Sequence, residues 1–300
     1  MKILFAISLA IVTTAASAQP NLLVTTYRYA DNDRINNIKP FADYLATACG
    51  CGTAVKSYES VGAMLAGMQA NEPDIVFMNT FGYLLLREKP HGYRTAAALQ
   101  LAEGKPSTYQ ATIATNRNMQ LKILKDLALH PGKYTLRLVN PGSTSGNLVP
   151  RIGLAAVGIT DAEGFFREVT YSKNHGLALQ QVAEGTYDVA AFGSEEYDKL
   201  LKSNPQLAGQ VQILWTSGDI PLGPVVYRQT LDKKMQRCLE RTLLQLHEEN
   251  NAALESVKAG WTEAIPADRY VRITDRHYVN WLRQTGPLDQ IMPIIRKFAQ

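Results

Sequence analysis

The sequence predicts an α/β protein of two lobes, each a mostly parallel sheet flanked by helices, with the chain crossing twice between them. Three observations predict it. Short apolar, β-branched runs alternate with helically spaced runs from Leu22 onward, the order that builds a largely parallel sheet covered on both faces. That series occurs twice, starting near Leu22 and again near Tyr109. Segments carrying Gly and Pro lie between the two series and after the second, where a hinge fits better than an element interior.

In the first series, Leu22 to Thr26 is strand-like, and Ile38 to Ala48 follows with Phe41, Leu45 and Ala48 at helical spacing. Ala54 to Tyr58 is strand-like, Val61 to Met68 helical, and Asp74 to Met78 a buried-strand run. In the second, Tyr109 to Thr115 and Tyr134 to Val139 are strands and Leu148 to Val157 is a helix. Phe166 to Tyr171 is then a strand, Gly176 to Glu184 a helix and Val189 to Phe192 a strand. Val211 to Trp215 leads through a Gly- and Pro-bearing segment into Val225 to Tyr227, followed by a mainly helical stretch from Lys233 to Gly260 and a tail from Pro287 to Gln300.

The crossings fall near Glu103 to Thr108 and Thr216 to Pro224. The expected division is therefore residues 19–106 with 222–300 as a discontinuous first lobe, and 107–221 as the second. No low-complexity linker separates them, which argues for lobes packed around a cleft.

The opening MKILFAISLAIVTTAASAQP carries one cation at Lys2, an apolar run from Ile3 to Val12, and Ala16-Ser17-Ala18 before Gln19. It reads as a signal peptide spanning 1–18, cut after Ala18. An uncleaved anchor is disfavoured because a spanning helix needs roughly 20 apolar residues. Removing 18 of 300 residues leaves 282, with the formal charge falling from +4 to +3 as Lys2 is lost. Lys and Arg are scattered, so nucleic acid is not implied. The expected product is a monomer free in the periplasm.

Cys49, Cys51 and Cys238 are the only cysteines, too few for a disulfide framework, so stability is expected to come from packing. Cys49-Gly50-Cys51 reads as a turn, a strained local disulfide, or a soft-metal or arsenite pair; no histidine is near enough in sequence to complete a zinc site. Neither a metal nor any other cofactor is expected.

The stretch VNPGSTSGNLVPR, 139–151, places Ser143, Thr144 and Ser145 between two glycines where a strand gives way to a helix. Unpaired N–H groups and the partial positive charge at a helix start hold an oxyanion without a formal cation, and the hydroxyls add donors. An ordinary N-cap uses the same residues. Enzymatic templates fail: a nucleophile elbow needs Ser at the centre of G-x-S-x-G, where Thr144 stands, and a phosphate-binding Walker loop needs Gly-Lys, where Gly146 precedes Asn147.

With YSKNHGLALQQVAEGTYDVAAFGSEEYDKL and ILWTSGDIPLGPVVYR further on, STSGNLVP resembles the periplasmic phosphonate- and phosphite-binding proteins of ABC importers. The similarity covers nearly all of the chain beyond the signal segment. It implies the two-lobed periplasmic binding protein fold of the second type. It also implies ligand-binding roles: Ser143, Thr144 and Ser145 around the phosphonyl oxygens, His175 reaching the same oxygens, Glu195 as the cleft acid, and Tyr109 at the rim. Two departures stand out. An aspartate that pairs with a substrate ammonium falls on Gly223, and a first-lobe tyrosine falls on Val61, so a small oxyanion such as phosphite is expected ahead of an aminophosphonate.

The function expected is therefore capture of a phosphonate- or phosphite-type oxyanion and delivery to an ABC transporter permease in the inner membrane. An alternative is an oxyanion sensor that docks on a membrane histidine kinase, with arsenite as a ligand should Cys49 and Cys51 be reduced and near the cleft. An enzyme built on Ser143, His175 and Asp188 ranks third, since Asp188 sits where turn and cap duties are commoner.

Overall fold

A computed structural model describes residues 21–30, 32–105, 107 and 109–299. The signal segment expected at 1–18 lies outside the described residues. The first series runs β1 (Asn21–Tyr27), α1 (Ile35–Cys49), β2 (Gly52–Tyr58), α2 (Val61–Gln69), β3 (Ile75–Phe77), α3 (Thr80–Arg87) and β4 (Tyr93–Leu101). The second runs β5 (Ala111–Asn116), α4 (Leu124–Leu127), β6 (Thr135–Leu138), α5 (Val149–Ala156), α6 (Ala162–Phe165), β7 (Glu168–Tyr171) and α7 (His175–Ala183). It continues with β8 (Val189–Gly193), α8 (Glu195–Ser203), α9 (Pro205–Ala208) and β9 (Val211–Thr216). The return comprises β10 (Pro224–Arg228), α10 (Lys233–Leu244), α11 (Leu246–Glu249), α12 (Asn251–Ala259), β11 (Ala267–Val271), α13 (Asp275–Thr285) and α14 (Leu288–Lys297).

Two sheets result, one of six strands ordered β11-β4-β10-β3-β1-β2 and one of five ordered β7-β6-β8-β5-β9. Each holds a parallel trio, β2-β1-β3 and β7-β6-β8. Strand β10 runs antiparallel to both of its neighbours, as does β5, and β11 opposes β4. The sheets are therefore mixed: β5 and β10 follow the two passages between sheets directly, with no helical crossover to reverse the chain. Those passages are the residues between Leu101 and Ala111 and between Thr216 and Pro224.

The central strands β3, β5 and β8 are buried at every position, as strands covered on both faces must be. Several features escaped the sequence pattern, α3, β4 and the breaks that follow α10 among them. Helix α3 buries every residue except Arg87, so it has no exposed polar face to mark it out from the buried strand before it. Strand β4 is built around Ala96, Ala97 and Ala98, a residue depleted in strands. In the stretch from Lys233 to Gly260 the helix breaks twice, and the side chain of Asn250 restarts it by accepting the N–H of Ala253 at 3.1 Å.

The cysteines correct the sequence expectation. Cys49 pairs with Cys238, tying the end of α1 to α10 across 189 residues, while Cys51 is a buried free thiol. The local Cys49–Cys51 bridge and the thiol-pair ligand site are thereby excluded, and stability does not rest on packing alone. Spacing had no means of finding a partner so distant in the chain. The Cys49–Cys238 bridge lies beside Gly50, Asp232 and Arg241, at a surface separate from the site below.

Helix α14 does not stay with the six-stranded half. Lys297 meets Glu163 at 2.5 Å, and the Phe298 ring packs on Phe81 and under the Arg151 guanidinium. No helix among the described residues is long and apolar enough to cross a membrane.

Candidate functional site

A cavity of about 670 Å³ opens between the two sheets. It lies beyond the carboxyl ends of the parallel strands, where open α/β sheets place ligands. Helices that start there turn their N-termini toward it. Ser60 caps α2, Asn79 caps α3, Ser143 caps the turn leading into α5 and Asn174 caps α7, and all four line the cavity. Each cap side chain accepts a backbone N–H three residues on, at 3.1, 2.8, 3.0 and 2.7 Å in that order. Glu195 begins α8 at the same opening. Helix starts each carry partial positive charge, so the cavity favours an anion before any cationic side chain is counted.

All six residues singled out from the sequence, Ser143, Thr144, Ser145, His175, Glu195 and Tyr109, line this one cavity. They do not stand equally free. Thr144 to Leu148 forms a π-type turn closed by Leu148 N–H onto the Ser143 carbonyl at 3.1 Å, a widened start that leaves early N–H groups unpaired. The Ser143 hydroxyl is the cap of that turn, so the cap reading and the site reading coincide. The Thr144 hydroxyl accepts the Phe81 N–H at 3.1 Å and meets the buried Tyr109 hydroxyl, joining the two halves. The Ser145 hydroxyl makes no hydrogen bond to any described residue.

The loop is braced from behind. Asn147 donates to the Pro141 carbonyl at 2.7 Å, Arg151 donates Nε–H to Asn147 at 2.8 Å, and Arg151 grips Glu163 at 2.6 Å. Gly142 must be bare, because a Cβ there would sit 2.7 Å from Cβ of Val61. Across the same contact, Asn79 donates to the Gly142 carbonyl at 2.8 Å. Gly223 is more constrained still: a Cβ would lie 2.0 Å from the Met78 carbonyl oxygen. No acidic side chain fits at 223 without moving that backbone.

His175 opens α7, and its Nδ1 accepts the Gly193 N–H at 2.9 Å, leaving Nε2 to carry the proton as a donor. Burial, with help from Lys199 and Arg34, lowers its pKa to about 4. The imidazole is therefore neutral at physiological pH, and a pH response near neutrality has to come from another group. Glu195 is that group. Burial, reinforced by Glu263 and Glu196, raises its pKa from 4.5 to about 7, and Oε2 is buried without a partner among the described residues.

A carboxyl whose pKa is raised in the folded state stabilises that state fully below its unfolded value, and loses the contribution as pH climbs through the folded one. Glu195 should thus make the ligand-free protein less stable as pH rises from about 4.5 to about 7. His175 opposes this over an overlapping range, because a lowered imidazole pKa favours folding as pH rises. The difference between wild type and Glu195→Gln isolates the carboxyl: thermal melts across that window should show the variant gaining on wild type as pH rises. Parallel melting curves would refute the assignment.

The enzymatic arrangement is not assembled. Asp188 accepts from Thr135 N–H at 2.8 Å and from its hydroxyl at 3.0 Å, at the start of β8, rather than orienting His175. Four further cavity residues were not singled out from the sequence: Tyr29, Arg34, Asn79 and Glu263. Asn79 was findable as an Asn directly after a buried strand. The others come from connections after β1 and α12, which only the fold brings together.

The family of ABC transporter phosphonate periplasmic substrate-binding proteins matches residues 25–278. The chain belongs to this family. A member, the phosphonates-binding periplasmic protein of Escherichia coli strain K12, is 29% identical over 170 residues, which is 57% of this chain and 49% of that protein. The chain thus matches about half the length of that curated relative. Among solved structures, a binding protein component of an ABC phosphonate transporter from Pseudomonas aeruginosa superposes with a TM-score of 0.66 at 20% identity, covering 93% of this chain and 94% of the other. A Prochlorococcus marinus protein solved with methylphosphonate gives 0.68 at 17% identity, covering 89% and 97%. These likenesses establish the type II periplasmic binding protein fold for this family member.

Proposed function

We propose that this protein captures a phosphonate- or phosphite-type oxyanion in the periplasm and delivers it to the permease of an ABC importer. The observation that carries the proposal is the convergence on one cavity of several helix starts and of the Ser145 hydroxyl, which no described residue bonds. Such a site supplies uncharged donors first, which suits reversible capture of a hydrated anion. The signal segment at 1–18 supports export, with a mature chain beginning at Gln19.

The lobes in this reading are 19–106 with 222–300, and 107–221, closing about the two passages. Closure brings Asn79 and Phe81 of one half onto Gly142 and Thr144 of the other. Glu195 then selects by protonation. A proton held between its carboxyl and a ligand oxygen makes a short charge-assisted hydrogen bond, whereas two unprotonated anions repel.

A calorimetric and thermal-shift screen of the mature protein against phosphite, phosphate, methylphosphonate, 2-aminoethylphosphonate, sulfate and arsenite tests this. A ligand at a hundred times its Kd should stabilise the native state by about 2.7 kcal/mol. Stabilisation by phosphite or a phosphonate but not by sulfate is the expected pattern. No response to any phosphorus oxyanion would remove the proposal.

A further inference from the structure

Arg34 also lines the cavity and is only 5% exposed. Its backbone is left-handed, with φ 58°, a region that a non-glycine residue occupies at a cost. The side chain is held tightly. Nε donates to the Gly260 carbonyl at 2.6 Å, and the guanidinium lies over the rings of Trp261, Tyr27 and Tyr29 at 4.5, 4.7 and 5.2 Å. Its Nη1 is buried with no hydrogen-bond partner among the described residues. Among the described residues no carboxylate comes within ion-pair distance of it. A rigid, buried guanidinium with unmet N–H bonds is unfavourable unless an anionic oxygen arrives to meet them.

Among the described residues Arg34 makes no hydrogen bond or ring contact with the hydroxyl loop, and its charge reaches only as far as His175 beside it. The first-half residues that touch that loop are Val61, Asn79 and Phe81, whereas Arg34 touches Tyr27, Tyr29, Gly260 and Trp261. The cavity between them is larger than one tetrahedral oxyanion needs. At roughly 30 Å³ per water molecule, about 670 Å³ holds some twenty of them.

We propose that Arg34 marks a second anion subsite, and that the ligand is a phosphonate whose substituent ends in a carboxylate or similar acidic group. This deepens the proposed function and rests on the phosphonyl group lying at residues 143–145. The phosphonyl end takes the uncharged donors of the five-stranded half, and the substituent's acid takes the Arg34 fork. Glu263 also lines the cavity, where burial raises its pKa against the pull of Arg34. The loss of an acidic group at Gly223 fits the same picture, since an ammonium partner there would serve a ligand of opposite substituent charge.

Isothermal titration of the mature protein with methylphosphonate, 3-phosphonopropionate and 2-aminoethylphosphonate, at one pH and ionic strength, tests the proposal. A charge-assisted hydrogen bond to Arg34 should make 3-phosphonopropionate bind about tenfold or more tighter than methylphosphonate. In Arg34→Gln that ratio should fall to within about threefold of unity, with Arg34→Lys intermediate because an ammonium keeps the charge but not the fork. A ratio near one in wild type, or one untouched by either substitution, overturns the subsite. Tighter binding of 2-aminoethylphosphonate than of 3-phosphonopropionate overturns it too, and hands this end of the cavity to Glu263. If none of the three binds the folded protein, the phosphonate reading fails along with it; if methylphosphonate binds well and the acid brings no gain, only the second subsite fails.

Discussion

Alanine at Ser145 should weaken phosphonate binding roughly tenfold to a hundredfold while leaving the melting temperature unmoved. The reasoning is local. A hydrogen bond to a charged group contributes about 1.5–3 kcal/mol, which spans those factors. Nothing in the fold depends on the Ser145 hydroxyl, because no described residue bonds it, so stability should not respond. Adding Ser143→Ala removes a second donor from the same end and should deepen the loss by about another factor of ten. It should also destabilise the protein by about 1 kcal/mol, because the Ser143 hydroxyl accepts the Gly146 N–H as the helix cap. Calorimetric titration with methylphosphonate, paired with thermal melts, separates the two effects. Unaltered affinity in the double variant would show that the anion sits elsewhere.

Replacing Cys49 and Cys238 together by alanine should produce a large loss of stability from a change remote from the cavity. The bridge closes a sequence separation of 189. On the chain-entropy account, a loop that long restricts the unfolded state by roughly 5 kcal/mol, and removal of native disulfides commonly costs about 2–5 kcal/mol. For a chain of this size that corresponds to a melting temperature lower by roughly 5–15 °C. Ligand affinity should stay within about threefold of wild type, since the bridge lies apart from the cavity and joins two helices of one half. A melting temperature within a degree of wild type would mean that packing of α1 on α10 and α12 already holds this region without the covalent tie.

Glu195 and His175 show why chemistry in this site could be named from the sequence but not assigned a protonation state. Their identities marked them as cleft residues through the resemblance, and both do line the cavity. Which of them titrates near neutrality is set by burial and neighbours. Glu195 is lifted to about 7 with Glu263 and Glu196 adding to the effect of burial, and His175 is driven to about 4. Glu263 lies 68 positions away from Glu195 in the chain, so no local pattern relates them.

The sequence by itself determined the α/β architecture, the two series of strands and helices, the places where the chain passes between sheets, and the hydroxyl loop at 143–145. These are local properties: period, propensity and capping chemistry repeat over neighbouring residues and are written in order along the chain. Only the tertiary structure decided the reversed strands β5 and β10, the pairing of Cys49 with Cys238, the engagement of Thr144 with Phe81, and the presence of Arg34 and Glu263 at the cavity. Each of these depends on which distant segments become neighbours, and that follows from how buried surfaces fit together, which spacing along the chain does not encode.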